Sequence, residues 1–147
     1  MKTHIIAFAT FLTVCTLVAS TCKKDGLPAP QDVELNSPFK IPLNGKVLIN
    51  SENIELRVSE ITDSRCPKNV QCVWAGNAKV KLNVRRPEAP DKQYSFCIGQ
   101  CETRYQKADT LQIEYEDKPY NLILTDVKPA PGTEQGTKSA VLILQMR

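Results

Sequence analysis

Four cysteines beyond residue 60 restrict this chain's chemistry more than any other residues. The 147-residue sequence holds six cysteines: Cys15 and Cys22 lie near the start, and Cys66, Cys72, Cys97 and Cys101 follow much later. The later four are spaced C-x5-C and C-x3-C. Four thiolates suit zinc or an iron–sulfur cluster, but zinc knuckles use a tighter C-x2-C spacing. Redox exchange uses C-x-x-C beside a βαβ pattern, and neither occurs, although Arg65 next to Cys66 would lower that thiol's pKa. An even number of cysteines in an exported domain reads as disulfides. Three pairings are possible. The local one, Cys66–Cys72 and Cys97–Cys101, closes the smallest loops and is the expectation. A Cys-ligated metal site is the alternative.

Histidine chemistry is absent from the later sequence. The one histidine is His4, so nothing beyond it can form a Ser-His-Asp or Cys-His pair, or a His-based metal site. No G-x-S-x-G, P-loop or G-x-G-x-x-G pattern appears. Glu114, Glu116 and Asp117 cluster near a turn. A glycosidase pair, however, needs a cleft that raises one carboxyl pKa, and a small sandwich rarely builds one. These acids therefore read as a solvated strand end. The expectation is a protein that is not an enzyme and needs no cofactor.

The start of the chain reads as an address. Lys2 precedes an apolar run from Ile5 to Val18, and the small residues Ala19, Ser20 and Thr21 lead to Cys22. That order is a secretory signal, and the run is short for a membrane-spanning helix. The segment Val18-Ala19-Ser20-Thr21-Cys22-Lys23-Lys24-Asp25 resembles bacterial lipoprotein signals, especially those of Bacteroidetes-like organisms. The resemblance implies that residues 1–21 are removed and that Cys22 carries acyl chains, palmitate among them. More than one chain anchors a protein durably. By the same analogy, Lys23 after the cysteine points to the outer membrane, on its periplasmic or cell-surface side. Residues 22–37 then form the lipidated cysteine and a flexible tether, since Gly26, Pro28 and Pro30 oppose regular structure. Only Val33 and Leu35 are suited to a first strand there.

Net charge is +3, and Lys2 is the only charged side chain of the first 21 residues. That balance opposes nucleic acid and broad attraction to anionic lipid.

The remaining residues, 38–147, must supply one folded domain. Their apolar period is two. Ile54, Leu56 and Val58 alternate with polar residues, as do Ala78, Val80, Leu82 and Val84, then Leu111, Ile113 and Tyr115, then Tyr120, Leu122 and Leu124. Such runs are half-buried strands. Ala140, Leu142, Leu144 and Met146 form a last strand whose other side, Val141 and Ile143, is also apolar, which predicts a central position. Turn residues fall at Asn44-Gly45, Gly76-Asn77, Pro87 to Asp91, Glu116 to Lys118 and Pro129 to Gly136. Cys97-Ile98-Gly99-Gln100-Cys101 reads as a hairpin turn pinned by its bridge. The predicted fold is all-β: an antiparallel sandwich of about seven or eight strands, Greek-key or immunoglobulin-like, with a small barrel as runner-up.

Arg65-Cys66-Pro67-Lys68-Asn69-Val70-Gln71-Cys72-Val73-Trp74-Ala75-Gly76 resembles the R-C-P-x-x-V-x-C-V-W-x-G core of a family of small, uncharacterised exported bacterial proteins. That resemblance implies a β-sandwich outside the cytoplasm and assigns no activity. Trp74, the one tryptophan, sits two residues from Cys72. On a strand it would pack on the bridge; the alternative is an exposed binding aromatic. Lys79, Lys81 and Arg85 form a basic stripe that reads as the wet face of a sheet, with Glu114 a cross-strand partner. A docking surface for an acidic partner or glycan is the other reading of that stripe.

The expected function is a non-enzymatic, lipid-anchored binding or structural module whose partner is a protein or glycan of the cell envelope. Its expected contact surfaces are the bridged loop from Arg65 to Trp74, with Arg65, Lys68 and Trp74 as binding residues, and the loop from Pro129 to Gly136. An inhibitor of a secreted hydrolase is the alternative in a different class, and a Cys-ligated metal-binding protein is another.

Overall fold

Nine strands follow one another in a computed structural model that describes residues 33–49, 53–87, 89–102, 104–115, 118–133 and 135–147. The signal 1–21, Cys22, the tether through residue 32, Glu116 and Asp117 lie outside the described residues. The strands are β1 (Pro38–Pro42), β2 (Lys46–Ile49), β3 (Ile54–Asp63), β4 (Asn77–Arg86), β5 (Ala89–Cys101), β6 (Arg104–Gln106), β7 (Asp109–Tyr115), β8 (Lys118–Lys128) and β9 (Ser139–Met146). They form two antiparallel sheets, ordered β1-β9-β8-β7 and β2-β3-β4-β5-β6. The sheets pack as a β-sandwich and do not close into a barrel.

The period-two residues are what hold the sheets together. Ile54, Leu56, Val58, Ala78, Val80, Leu82, Tyr120, Leu122, Leu124, Ala140, Leu142 and Leu144 are all buried in one core. Each large side chain among them contributes about 1.5–3 kcal/mol by leaving water. As its doubly apolar sequence requires, β9 lies inside its sheet, between β1 and β8. Met146, in contrast, ends that strand exposed.

The connections are mostly hairpins. All five strands β2 to β6 meander through one sheet, unlike the strand division of an immunoglobulin domain. In the other sheet β7, β8 and β9 are sequential, and β1 lies beside β9. Traced backward from the C-terminus, that is a Greek-key order in which the whole second sheet serves as the long connection.

Two bulges reset which side chains face inward. The β3–β4 register shifts between Val58 and Glu60, so that after Val58 the inward positions are Ile61 and Asp63. The β8–β9 register shifts between Leu124 and Asp126, after which Val127 is inward and buried. One extra residue in a strand bends it and re-aims its side chains. Here both bulges lie toward the same end of the sandwich, the end that carries the β3–β4 and β8–β9 connections.

The expected turn at Cys97 to Cys101 is not where the chain reverses. These residues end β5, and the reversal falls after Cys101, where Cys101 pairs with Arg104. Gly99 accounts for the difference. Four extended residues would span about 13 Å, yet the Cys97 and Cys101 Cα atoms are 6.0 Å apart, and Gly99 has φ +92°. The strand is therefore folded on itself at Gly99 without ending. The turn expected at Pro87 to Asp91 is also tighter, because Arg86 already pairs with Ala89.

Domain packing begins before residue 38. Val33 and Leu35 lie half-buried against the core, and the Asn36 N–H donates to Leu144 O at 2.8 Å.

Candidate functional site

The β3–β4 connection, residues 64–76, is a bridged loop anchored at both ends by backbone. The Ser64 N–H donates to Asn77 O at 2.8 Å, and the Cys66 N–H donates to Ala75 O at 2.9 Å. The sulfurs of Cys66 and Cys72 are at bonding distance with Cα atoms 5.9 Å apart, as are those of Cys97 and Cys101. Both pairs match the expected local pairing, within the usual disulfide range. Gly76 makes the loop's return possible. At φ +67° a Cβ there would stand 1.9 Å from Ser64 O, so only glycine fits. Its own carbonyl accepts from the Gln100 N–H at 2.8 Å, which ties the loop to the folded end of β5.

Arg65 fastens this loop across the mouth of the sandwich. Its Nε donates to Asp63 Oδ1 at 2.8 Å and its Nη2 to Asp63 Oδ2 at 3.0 Å, a two-pronged pair. Its Nη1 donates to Asp126 Oδ1 at 2.8 Å, and Nη2 also reaches Val127 O. Lys138 Nζ donates to the second Asp63 oxygen at 2.8 Å and to Pro129 O. The Asp63 side chain is 2% exposed and Asp126 belongs to the other sheet, so this network joins both sheets and both loops. Burial pushes the Asp63 carboxyl up, but Arg65 and Lys138 outweigh it and hold its pKa below the usual carboxylate range. The Arg65 guanidinium is pushed above its ordinary value, first by the Asp63 hydrogen bond and, against desolvation, by Asp126.

Of the three expected binding residues, then, the structure commits Arg65 to the fold and leaves Lys68 and Trp74 at the surface. All three Arg65 side-chain nitrogens are used internally. Trp74 does not pack over the Cys66–Cys72 bridge as strand alternation predicted: it is 78% exposed. The reason is local. Residues 71–76 are irregular and β4 starts only at Asn77, so a period of two does not apply to them. Val73, at 107%, and Val70, at 57%, join Trp74 in water.

The two expected contact loops are neighbours. A Cβ on Gly132 would stand 2.7 Å from Pro67 Cβ, so the 129–138 loop packs directly on the bridged loop. Between them and β1 runs an open cleft of about 550 Å³, lined by Lys40, Arg65, Lys68, Lys128, Thr133 and Gln135 among others. Asp126, the acid in that lining, is already paired with Arg65, and Lys128 lies 3.8 Å from its other oxygen. Sequence reasoning missed Lys40 and Lys128, because nothing local shows that β1 and β8 converge on this cleft.

The basic stripe is a sheet face on which Lys81 and Arg85 are paired. Lys81 Nζ meets Glu60 Oε2 at 2.7 Å, and Arg85 meets Asp91 at 3.7 Å. Glu114 is not their partner, because β7 belongs to the other sheet. A second concavity of about 540 Å³ lies on this face, over the Cys97–Cys101 bridge. Glu114 itself is exposed, and its expected companion Glu116 lies outside the described residues. Among the described residues, no three of His, Cys, Asp and Glu converge as a metal site.

Fold and site together define a class: a two-sheet antiparallel sandwich that presents a disulfide-closed apolar loop at one end. Neither the protein-family models, nor the curated proteins, nor the solved structures gave a match to this chain.

Proposed function

We propose that this chain is a non-enzymatic, lipid-anchored binding module of the bacterial cell envelope, held at the outer membrane through Cys22. Its contact surface is the bridged loop together with the loop 129–138. One observation carries the reading: Val73 and Trp74 stand in water on a loop that a disulfide, an Arg65 clamp and Gly76 hold rigid. Leaving a tryptophan and two valines in water forfeits about 1.5–3 kcal/mol for each one that could be fully buried. A rigid loop that presents them has already lost the entropy that a partner would otherwise have to remove. Aromatic anchors of this kind dominate binding surfaces. The signal-like start and the resemblance of residues 65–76 to exported proteins support the location.

A second reading is favoured by the same shape. A protruding, stapled loop can enter the cleft of a secreted hydrolase as an inhibitor. It predicts inhibition that reduction of Cys66–Cys72 abolishes. The metal-binding alternative has no comparable observation behind it, since the four sulfurs are paired at bonding distance.

Two experiments test the proposal. Fractionation with intact mass should place the protein in the membrane fraction, cut before Cys22, acylated and four hydrogens lighter than its reduced form. Unmodified protein in the cytosol would overturn the anchor. Crosslinking in the native organism should recover a component of the envelope whose yield falls with Trp74→Ala or Lys68→Ala. Equal yield from both variants would overturn the contact surface.

A further inference from the structure

We infer that the bridged loop docks on an anionic lipid bilayer, with Val70, Val73 and Trp74 entering the headgroup region and Lys68, Lys40 and Lys128 meeting its phosphates. This deepens the proposed contact surface and rests on it for the choice of site.

The first argument is shape and composition together. The apolar residues are at the tip of a protruding loop, and none of them lines the cleft beside it. Tryptophan favours the boundary between headgroups and acyl chains, where its ring is half apolar and half wet. The segment is held on both sides of the tip: the ring of residues 66–72 is closed covalently, the Val70 N–H donates to Pro67 O at 3.3 Å, and the Cys66 N–H donates to Ala75 O at 2.9 Å just beyond Val73 and Trp74. A rigid, apolar tip on a β-sandwich enters a bilayer surface without unfolding anything.

The second argument is charge. From Ser64 to Asn77 the loop contains Arg65 and Lys68 and no acid. Beside it, Lys40 and Lys128 line the cleft with Lys68. Of the acids nearest the cleft, Asp63 and Asp126 are engaged by Arg65 and Lys138, with Lys128 3.8 Å from Asp126, while Glu102 stands exposed at the β5–β6 turn of the same end. Glu134 is the one acid of the facing segment 129–138. The chain as a whole is nearly balanced, so the attraction is local to this end. Each lysine brought near an anionic surface favours docking, and the effect falls off within a Debye length.

The third argument is reach. β1 runs from its partner Ile143 toward Ser139, so residues 33–37 stand on the Leu144 side and the bridged loop on the other. The chain between Cys22 and Val33 can extend at most about 37 Å, close to the roughly 33 Å length of a ten-residue strand such as β3. A domain tethered at Cys22 can therefore lie over until its bridged loop meets the same leaflet.

Trp74 is the only tryptophan, so its fluorescence reads this loop alone. The full chain, expressed with its own leader and purified from the fraction that holds it, is mixed with vesicles of phosphatidylglycerol and phosphatidylethanolamine. Matched vesicles are of phosphatidylcholine alone. Co-sedimentation reads anchoring; Trp74 emission, and its quenching by lipids brominated near the headgroup, reads docking. The expected result is a blue-shifted, quenchable Trp74 on the anionic vesicles. Val73→Asp abolishes it, and because Val73 is wholly exposed that change leaves the fold intact. Lys68→Glu lowers the docked-to-free ratio about tenfold. Trp74 emission that stays at its solvent position while the protein co-sediments would overturn docking and leave the anchor standing. Shielding of Trp74 by a purified hydrolase or cell-wall glycan, with none by vesicles, would assign the tip to that partner and overturn the inference as well.

Discussion

Arg65 and Asp63, two residues apart in sequence, face each other through two parallel hydrogen bonds of 2.8 and 3.0 Å at the mouth of the sandwich. The pair exists because a bulge at Ser59 turns Asp63 inward, where its side chain is 2% exposed. An acid in that position is stable only when paired, and Arg65 and Lys138 supply the partners. Asp63→Ala should therefore destabilise the protein by about 3 kcal/mol, read by urea unfolding. A loss below about 1 kcal/mol would show that the network contributes little.

The same carboxylate sets an acid limit. Its pKa is lowered in the fold, so its contribution is fully present above the unfolded value of about 4 and is lost as pH falls through the folded value. Unfolding midpoints measured from pH 7 downward should fall below about pH 4, and Asp63→Asn should flatten that decline. An unchanged profile in the variant would assign the acid sensitivity to other groups.

Opening the bridge should separate stability from presentation. Cys66→Ser with Cys72→Ser removes a short covalent loop and should cost about 2 kcal/mol, while β3 and β4 remain paired. Amide exchange should rise across residues 66–75 and stay slow in β9.

The glycines should behave unequally. Gly76→Ala meets Ser64 O at 1.9 Å with φ +67° and should cost about 2 kcal/mol or more. Nothing lies within 4 Å of the corresponding atom on Gly136, so Gly136→Ala should be close to neutral in the same thermal unfolding assay.

Trp74→Ala should leave stability within about 0.5 kcal/mol, because an exposed ring away from special backbone carries little folding energy. Binding should nevertheless fall. A stability loss as large as that of Asp63→Ala would mean that the ring is part of the packing.

The sequence was most legible where a period of two met a core on one side. β4, β8 and β9 follow from their alternation, and the apolar second face of β9 announced its place inside a sheet. β5 was not legible in this way. Its first residues, Ala89 to Gln93, include Pro90, Asp91 and Lys92, and its fold at Gly99 imitates a turn. Bulges leave no mark in a hydrophobic pattern except a slipped phase, and the inward Ile61 and Asp63 are that slip in β3. At the site, the local disulfide was readable from chain closure alone. The direction of Trp74 was not, because an irregular loop has no period. Sequence reasoning gives Arg65 as a neighbour of Cys66 and as a binding residue, and it misses the pairing with Asp63, two residues away, and with Asp126, 61 residues away.

A photoreactive residue at position 73 tests the contact surface most directly, with one at position 79, on the outer face of the five-stranded sheet, as control. Irradiation of living cells should give adducts to a component of the envelope from position 73 and few from position 79. Adducts from position 79 with none from position 73 would contradict the account.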